Sequence, residues 1–325
     1  VKVLAADVAA VCARMREREE AAVAVHSKPD LDCLAAAAAI VDLLGQLGSP
    51  ATFYLDPSEA LPRSGFFLDA DEIVRAVPPA GQTLYVLDTG SVARVALPVD
   101  RWDGVVVNID HHHDNTRFGD LVLVRDEASS TAEIVCDLAR ALDLKPALQA
   151  ATGLYAGISF DSGHFRHQST SAHTFDCAAW LVASGAQPTQ IYAEMYEHRS
   201  LPGLRLWARA AANSIAVAGG RALIGTLTRA DYAAAGADEN ETELIVESLR
   251  AIDGVDVAAL VKEQSSGARV RVSLRSEGLD VSAVAALRGG GGHRQAAGFS
   301  CDDDPGEVTE WLSSVLAERL QTASS

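Results

Sequence analysis

Apolar residues recur along this chain in two spacings, and the mixture changes about two-thirds of the way through. Ala22 to Val25, Leu84 to Leu87 and Gly104 to Ile109 are short apolar runs bounded by polar or turn-forming residues, which predicts buried strands. Leu154 to Ser159 is a further apolar segment of the same kind, running through Phe160 into Asp161. Helical spacing marks Cys33 to Leu47, Thr131 to Leu142 and Thr174 to Ala183; Ile134, Leu138 and Leu142 fall on one face. Strand-like and helical stretches in alternation predict a parallel sheet flanked by helices. Pro188 to Asn213 reads as one long connecting helix rich in Arg and Glu. Beyond Arg221 the pattern becomes strand-rich, with Ala222 to Thr228, Val255 to Lys262 and a period-two stretch at Ala268 to Leu274. A glycine run and an amphipathic helix at Gly306 to Leu320 complete it. The predicted fold class is α/β: a parallel-sheet domain over 1–187, a helical linker over 188–214, and a smaller α+β domain over 215–325.

Composition narrows the setting. With 48% hydrophobic and 22% charged residues, the 325-residue chain can build real cores in two domains. No segment approaches the ~20 apolar residues of a membrane span, and the N-terminal residues lack a charged segment leading into an apolar one. The five cysteines are scattered, with no CxxC pair, as expected of reduced, buried thiols in a cytoplasmic protein. A formal net charge of −17 argues against a track for long nucleic acid, which needs surplus Lys and Arg. A small nucleotide is not excluded, because it needs only a local positive site.

The chemistry lies where the apolar runs end. Val25 leads into His26, Asp30 and Asp32; Leu87 into Asp88; Ile109 into Asp110, His111 and His112; Phe160 into Asp161. In a parallel sheet all strand C-termini share one edge, so these distant positions are expected to converge. So many carboxylates repel one another unless cations neutralise them. Carboxylate and imidazole without thiolate suit Mn²⁺, Mg²⁺ or a similar divalent ion better than structural zinc. Each residue also has a plainer reading: Asp32 as a helix cap, the His111-His112-His113 run as fortuitous. A second signal is Gly289 to Gly292 followed by His293 and Arg294, where exposed backbone N–H groups could meet an anion; a flexible loop is the alternative.

At these residues the sequence resembles the DHH phosphoesterase superfamily, through His26-Ser-Lys-Pro-Asp30-Leu-Asp32, Asp88-Thr-Gly, Asp110-His111-His112 and Phe160-Asp161-Ser-Gly. Gly289 to Gly298 is similar to the GGGH element of its DHH-associated domain. The resemblance implies that His26, Asp30 and Asp88 hold one metal, and Asp32, Asp88, His111 and Asp161 a second, with Asp88 shared. It implies that Asp110 supports this shell and that His112 meets the scissile phosphate. Which of His111 and His112 touches metal is carried over from the family pattern. It also implies that Arg275, on a segment resembling the family's substrate-contacting strand, grips the substrate together with Gly291, Gly292, His293 and Arg294.

Within the superfamily the chain resembles the bifunctional oligoribonuclease and 3′-phosphoadenosine-5′-phosphate (pAp) phosphatase group, some of whose members are associated with cyclic di-adenylate and its linear product pApA. The implied protein is a homodimeric hydrolase of short nucleotides, held between its domains and attacked by a water bridging two ions, most simply Mn²⁺ with Mg²⁺ or Co²⁺ as alternatives. The competing readings are a pyrophosphatase or polyphosphatase of the same superfamily, a catalytically silent nucleotide sensor, and a long-strand exonuclease.

Overall fold

The computed structural model describes residues 2–59, 61–62, 65–95, 97, 102–197, 200–242 and 244–322. It divides into two compact units, Val1–His198 and Arg199–Ser325. In unit 1 the order is α1 (Lys2–Met15), β1 (Ala21–Val25), α2 (Leu31–Gln46), β2 (Ala51–Tyr54), β3 (Ile73–Val74), β4 (Thr83–Leu87), β5 (Val106–Asp110), β6 (Leu121–Val124), α3 (Thr131–Ala141), α4 (Leu148–Asp161), α5 (Ala172–Ala183) and α6 (Pro188–Tyr192). Its six strands are all parallel and lie in the order β3-β2-β1-β4-β5-β6.

Alternation along the central strands explains the layering. Ala21, Val23 and Val25 of β1, with Tyr85 and Leu87 of β4, pack into the large core shared with α1 to α5. Ala22 and Ala24, with Leu84 and Val86, face a thinner layer that includes Val95, Leu97 and the partly buried Trp102 and Phe118. Because both faces are covered, these strands read as unbroken apolar runs rather than alternating ones. Strand order reverses between β1 and β4, the place in such a sheet where a crevice opens beyond the strand C-termini.

The Leu154 to Ser159 segment is not strand-like. It lies inside α4, so Asp161 stands at the end of a helix. That helix is apolar almost all round because its Ala150 to Ser159 stretch is buried, apart from half-buried Thr152, and a short apolar run does not distinguish the two states. The connector is also not one helix. After α6 comes a π turn at Ala193–Glu197, and α7 (Leu201–Ala212) starts afresh with Ser200 as its N-cap and Pro202 in its first turn, a position proline favours at a helix start and not mid-helix. Residues 198 and 199, inside that expected helix, lie outside the described residues, as do 1 and 323–325.

Unit 2 continues with β7 (Ile215–Val217), β8 (Ala222–Leu227), α8 (Arg229–Ala235), α9 (Ile245–Arg250), β9 (Val257–Glu263), β10 (Val270–Ser276), α10 (Val281–Ala286), β11 (Gly291–Gly292), β12 (Ala296–Cys301) and α11 (Pro305–Thr322). Its sheet, β11-β12-β10-β9-β8-β7, is mixed, with β8 and β9 parallel and the other pairs antiparallel. Val308, Leu312, Leu316 and Leu320 of α11, four or so residues apart, cover one face. All five cysteines are free thiols. No described helix is long and apolar enough to cross a membrane.

Candidate metal centre

The unit 1 residues singled out above meet at the strand C-termini beside the β1/β4 reversal. His26 follows β1, Asp88 follows β4, Asp110 ends β5, and His111 and His112 come next. The α2 helix begins just beyond β1, with Asp30 as its N-cap, accepting from the Asp32 and Cys33 amides. Asp161 arrives from the C-terminal end of α4.

His26 Nε2 lies 3.6 Å from Asp88 Oδ2 and 3.7 Å from Asp30 Oδ2. His111 Nε2 lies 3.1 Å from Asp161 Oδ2 and 3.5 Å from Asp88 Oδ1. The two oxygens of Asp88 thus face two different donor groups. Asp32 joins His111 and Asp161 in the second. Both imidazoles are oriented alike: Nδ1 of His26 is 2.8 Å from the Ser27 carbonyl oxygen and Nδ1 of His111 3.3 Å from that of Ala128. With Nδ1–H donated to backbone, Nε2 is the lone-pair nitrogen aimed into the cluster, the arrangement characteristic of metal-ligating histidines.

His112 is arranged differently. Its Nδ1 is 2.7 Å from Asp110 Oδ1, and Asp110 also accepts from the His111 backbone N–H (2.8 Å) and from Asn115 Nδ2 (2.5 Å). Asn115 is itself tied to Asn108 Oδ1 at 2.9 Å. A buried, fully bonded carboxylate therefore sets the ring of His112. His113, the third of the run, is exposed.

The N-terminus of α3 completes the surroundings. Both oxygens of Asp32 accept helix amides, Thr131 N at 2.7 Å and Ala132 N at 2.9 Å, and Thr131 Oγ1 donates to Asp88 Oδ1 at 2.9 Å. Asp32 thus does serve as a cap, but of a helix a hundred residues away. Gly157 of α4 permits this: a Cβ there would lie 2.9 Å from Asp32 Oδ1 and 3.1 Å from the Cβ atoms of Ala35 and Ala132. Gly157, Thr131, Asn108 and Asn115 are not among the site residues expected from the sequence. Only Thr131 carries a signal, the Ser130-x-x-Glu133 pattern that announces a helix start.

The electrostatics describe a site short of positive charge. Burial works against the charged forms of His26 and His111, yet Asp30 and Asp88 beside the first, and Asp161 and Asp88 beside the second, carry both well above the ordinary imidazole range. Against its burial, Asp88 is driven far below the carboxylate range by His26, His112 and His111. Burial and the Asp88 and Asp161 charges push Asp32 well up, with His111 acting the other way. Burial, with Asp30 and Asp88, raises Asp161 to about 6 despite its contact with His111. Protons thus gather where the carboxylates lack partners, and cations would take their place.

The donor set fits a pair of hard or borderline divalent ions. Ligand atoms about a cation at ~2.1 Å stand roughly 3–3.5 Å apart, close to the spacings found here, and the donors are carboxylate and imidazole. Cys33 Sγ, within reach of His26, Asp30 and Asp88, is the exception. It is fully buried, and burial pushes its thiol up to about 12.

In unit 2, Arg275 lies on β10, where its Nε donates to Glu247 Oε1 at 2.8 Å. Gly291 and Gly292 form β11, and His293 closes a tight turn onto Ala296. Arg294 is 70% exposed at its side chain, with a loose 3.7 Å approach to Asp280, so most of its guanidinium faces solvent.

Shared carboxylate, twinned imidazoles and a helix N-terminus at the reversal of a parallel sheet define a DHH-type protein, and the chain belongs to the DHH family: residues 20–158 match the DHH family N-terminal domain and 207–322 the DHHA1 domain. Among curated relatives it is similar to the bifunctional oligoribonuclease and PAP phosphatase NrnA of Thermus thermophilus, 32% identical over 93% of this chain and 90% of the relative. The probable bifunctional oligoribonuclease and PAP phosphatase NrnA of Streptococcus mutans is 32% identical over 84% of this chain and 86% of its own. An exopolyphosphatase-related protein of Bacteroides fragilis shares the fold, with a TM-score of 0.87, 20% identity, and coverage of 97% of this chain and 98% of that one.

Proposed function

We propose that this protein is a two-metal phosphoesterase acting on short oligoribonucleotides and pAp, with pApA or cyclic di-adenylate as further substrates of the same chemical class. The observation that carries this reading is Asp88, one buried carboxylate presenting an oxygen to each of two His/Asp donor groups. His26, Asp30 and Asp88 would hold one cation, and Asp32, Asp88, His111 and Asp161 the other. Two divalent ions bound there, Mn²⁺ foremost with Mg²⁺ or Co²⁺ as alternatives, supply the Lewis acidity that makes water nucleophilic at neutral pH and withdraws charge from a phosphoryl group.

The protein's own part is positioning. Asp110 fixes His112 through Nδ1, so that Nε2–H is offered to a phosphoryl oxygen of the substrate. Burial opposes a charged His112, but Asp110 and Asp88 outweigh it and favour the protonated ring, which keeps that hydrogen as a charged donor. Thr131 Oγ1 holds the shared carboxylate in place. In unit 2, Arg275, His293 and Arg294 would meet the nucleotide, with Gly291 and Gly292 letting backbone N–H groups come close. The relatives' names agree with short, doubly phosphorylated or oligomeric substrates, as does the net charge of −17. A homodimer is proposed with it: Phe175, Val182 and Tyr192 on α5 and α6 expose apolar surface suited to self-association, which light scattering would measure.

The test is turnover of pAp, pApA and pyrophosphate side by side with Mn²⁺, with Asp88→Asn in parallel. Hydrolysis of either nucleotide by the wild type, lost in the variant, is the expected result. Cleavage of pyrophosphate alone would move the protein to a different activity of the family, and equal rates on long single strands and dinucleotides would refute the short-substrate reading.

A further inference from the structure

Apart from the Asp88 cluster, α3 and α5 bring a second set of ligating side chains to one point. His173 and Cys177 are one turn apart on α5 and so share a face. Asp137 comes from α3 to meet them. His173 Nε2 lies 3.0 Å from Asp137 Oδ1 and 3.6 Å from Cys177 Sγ. A nucleophile–base–acid relay would need one ring nitrogen for each partner. Here the same nitrogen faces both, so the three donors converge on one place, as ligands of a cation do.

The spacing fits a particular kind of cation. An imidazole nitrogen at ~2.05 Å and a sulfur at ~2.3 Å from tetrahedral zinc stand roughly 3.5 Å apart, which is the His173–Cys177 separation. Asp137 is anchored by Arg125, which bonds its Oδ2, and both carboxylate oxygens lie near His173 Nε2, Oδ1 at 3.0 Å and Oδ2 at 3.1 Å. Ligating carboxylates are commonly held by such a second bond. Cys177 is fully buried, whereas the His173 side chain is 44% exposed, so the group opens to solvent on one side. Water entering from that side would fill the remaining position.

We propose that Asp137, His173 and Cys177 form a third cation site, selective for a thiophilic divalent ion of the Zn²⁺ class and distinct from the oxygen-rich cluster at Asp88. His173 binds through Nε2, Asp137 through Oδ1, and Cys177 through sulfur after releasing its proton to solvent. The thiolate sets the selectivity, since Mn²⁺ and Mg²⁺ prefer oxygen donors.

The full-length protein, first saturated with Mn²⁺ to fill the Asp88 cluster, would be titrated with Co²⁺ as a spectroscopic stand-in for Zn²⁺. One equivalent of Co²⁺ should produce thiolate-to-cobalt charge-transfer absorption in the near ultraviolet, and Zn²⁺ should bleach it. Cys177→Ser should abolish the band. His173→Ala, a substitution at an exposed position that spares the core, should weaken Co²⁺ binding at least about tenfold. Cys33→Ala is the control, because Cys33 is the thiol beside the Asp88 cluster, and the band should survive there. No band in the wild type, its loss in Cys33→Ala, or undiminished affinity in His173→Ala would each overturn the proposal. Nucleotide turnover plays no part in this readout, so its outcome is separate from that of the proposed activity.

Discussion

Gly157→Ala sets two effects of known size against each other. Gly157 sits in the interior of α4, where alanine is worth about 1 kcal/mol more than glycine in helix propensity. The new methyl would lie 2.9 Å from Asp32 Oδ1 and 3.1 Å from Ala35 and Ala132, in a place where α2, α3 and α4 all meet. Overpacking of this kind costs about 1–3 kcal/mol, and both methyl contacts belong to helix backbones that cannot swing aside. Any relief by moving Asp32 stretches its bonds to the Thr131 and Ala132 amides, each charge-assisted and worth about 1.5–3 kcal/mol. The expected net is a loss of about 1–2 kcal/mol, seen as a fall in Tm of roughly 2–8 °C at this size. Because Asp32 is one of the proposed ligands, Mn²⁺ affinity measured by calorimetry should also fall, by about tenfold or more. Gly153→Ala supplies the contrast: its methyl would meet the Phe67 ring at 2.8 Å, so stability should drop while Mn²⁺ affinity holds. A Gly157→Ala protein that is more stable than the wild type and binds Mn²⁺ equally well would refute the reasoning.

Three further outcomes follow from the same geometry. Asp88→Asn should lose Mn²⁺ binding at both donor groups together, so that calorimetry shows no stoichiometric step at the cluster; retention of one tight ion would mean that Asp88 is not shared. Over the window from about pH 4 upward the cluster groups with raised values, Asp161 near 6 and also Asp32, His26 and His111, give up their protons; the stabilising contribution of each is full below its unfolded value and lost as pH rises through its folded one. Metal-free protein should therefore lose Tm across that window and the Mn²⁺-induced gain should grow with pH, whereas a pH-independent gain would contradict it; the opposite contribution of Asp30 and Asp88, whose values are lowered, falls away only below about pH 4. In unit 2, a Cβ on Gly291 meets nothing and one on Gly290 would strike the Gly298 carbonyl oxygen at 2.2 Å, so Gly291→Ala should fold within about 0.5 kcal/mol of wild type yet raise KM for nucleotide, and an unchanged KM would remove Gly291 from the proposed contact set.

Much of this was legible in the chain because its central strands are short, apolar and closed off by charged residues. Val25-His26, Leu87-Asp88 and Ile109-Asp110 each announce a strand end and a donor in the same step. Parallel topology then brings them together without further information. Asp161 reaches the cluster from the end of a helix and not of a strand, since a buried helix such as α4 has no polar face to reveal its period. What could not be read was anything depending on contacts between distant segments. The bonds from the start of α3 to Asp32 and the room made by Gly157 join residues tens of positions apart, and each residue alone looks like an ordinary cap or helix glycine. The pairing of His173 with Asp137, on a different helix, is hidden for the same reason.

Asp88 also limits how the sequence can drift. Its backbone has φ +54°, the left-handed region, which most residues enter at a cost of about 1–2 kcal/mol and which Gly, Asn and Asp accept readily. Glutamate would keep the charge but strain the chain. Glycine would keep the chain and lose the donor; asparagine would keep shape and lose the anion. Two unrelated demands, one conformational and one electrostatic, thus fall on a single position, and among the common replacements none meets both. A lineage that loses this aspartate has no neighbouring substitution by which to recover, so divergence within the family should spare Asp88 longest, including in descendants that have already exchanged the residues recognising their substrate.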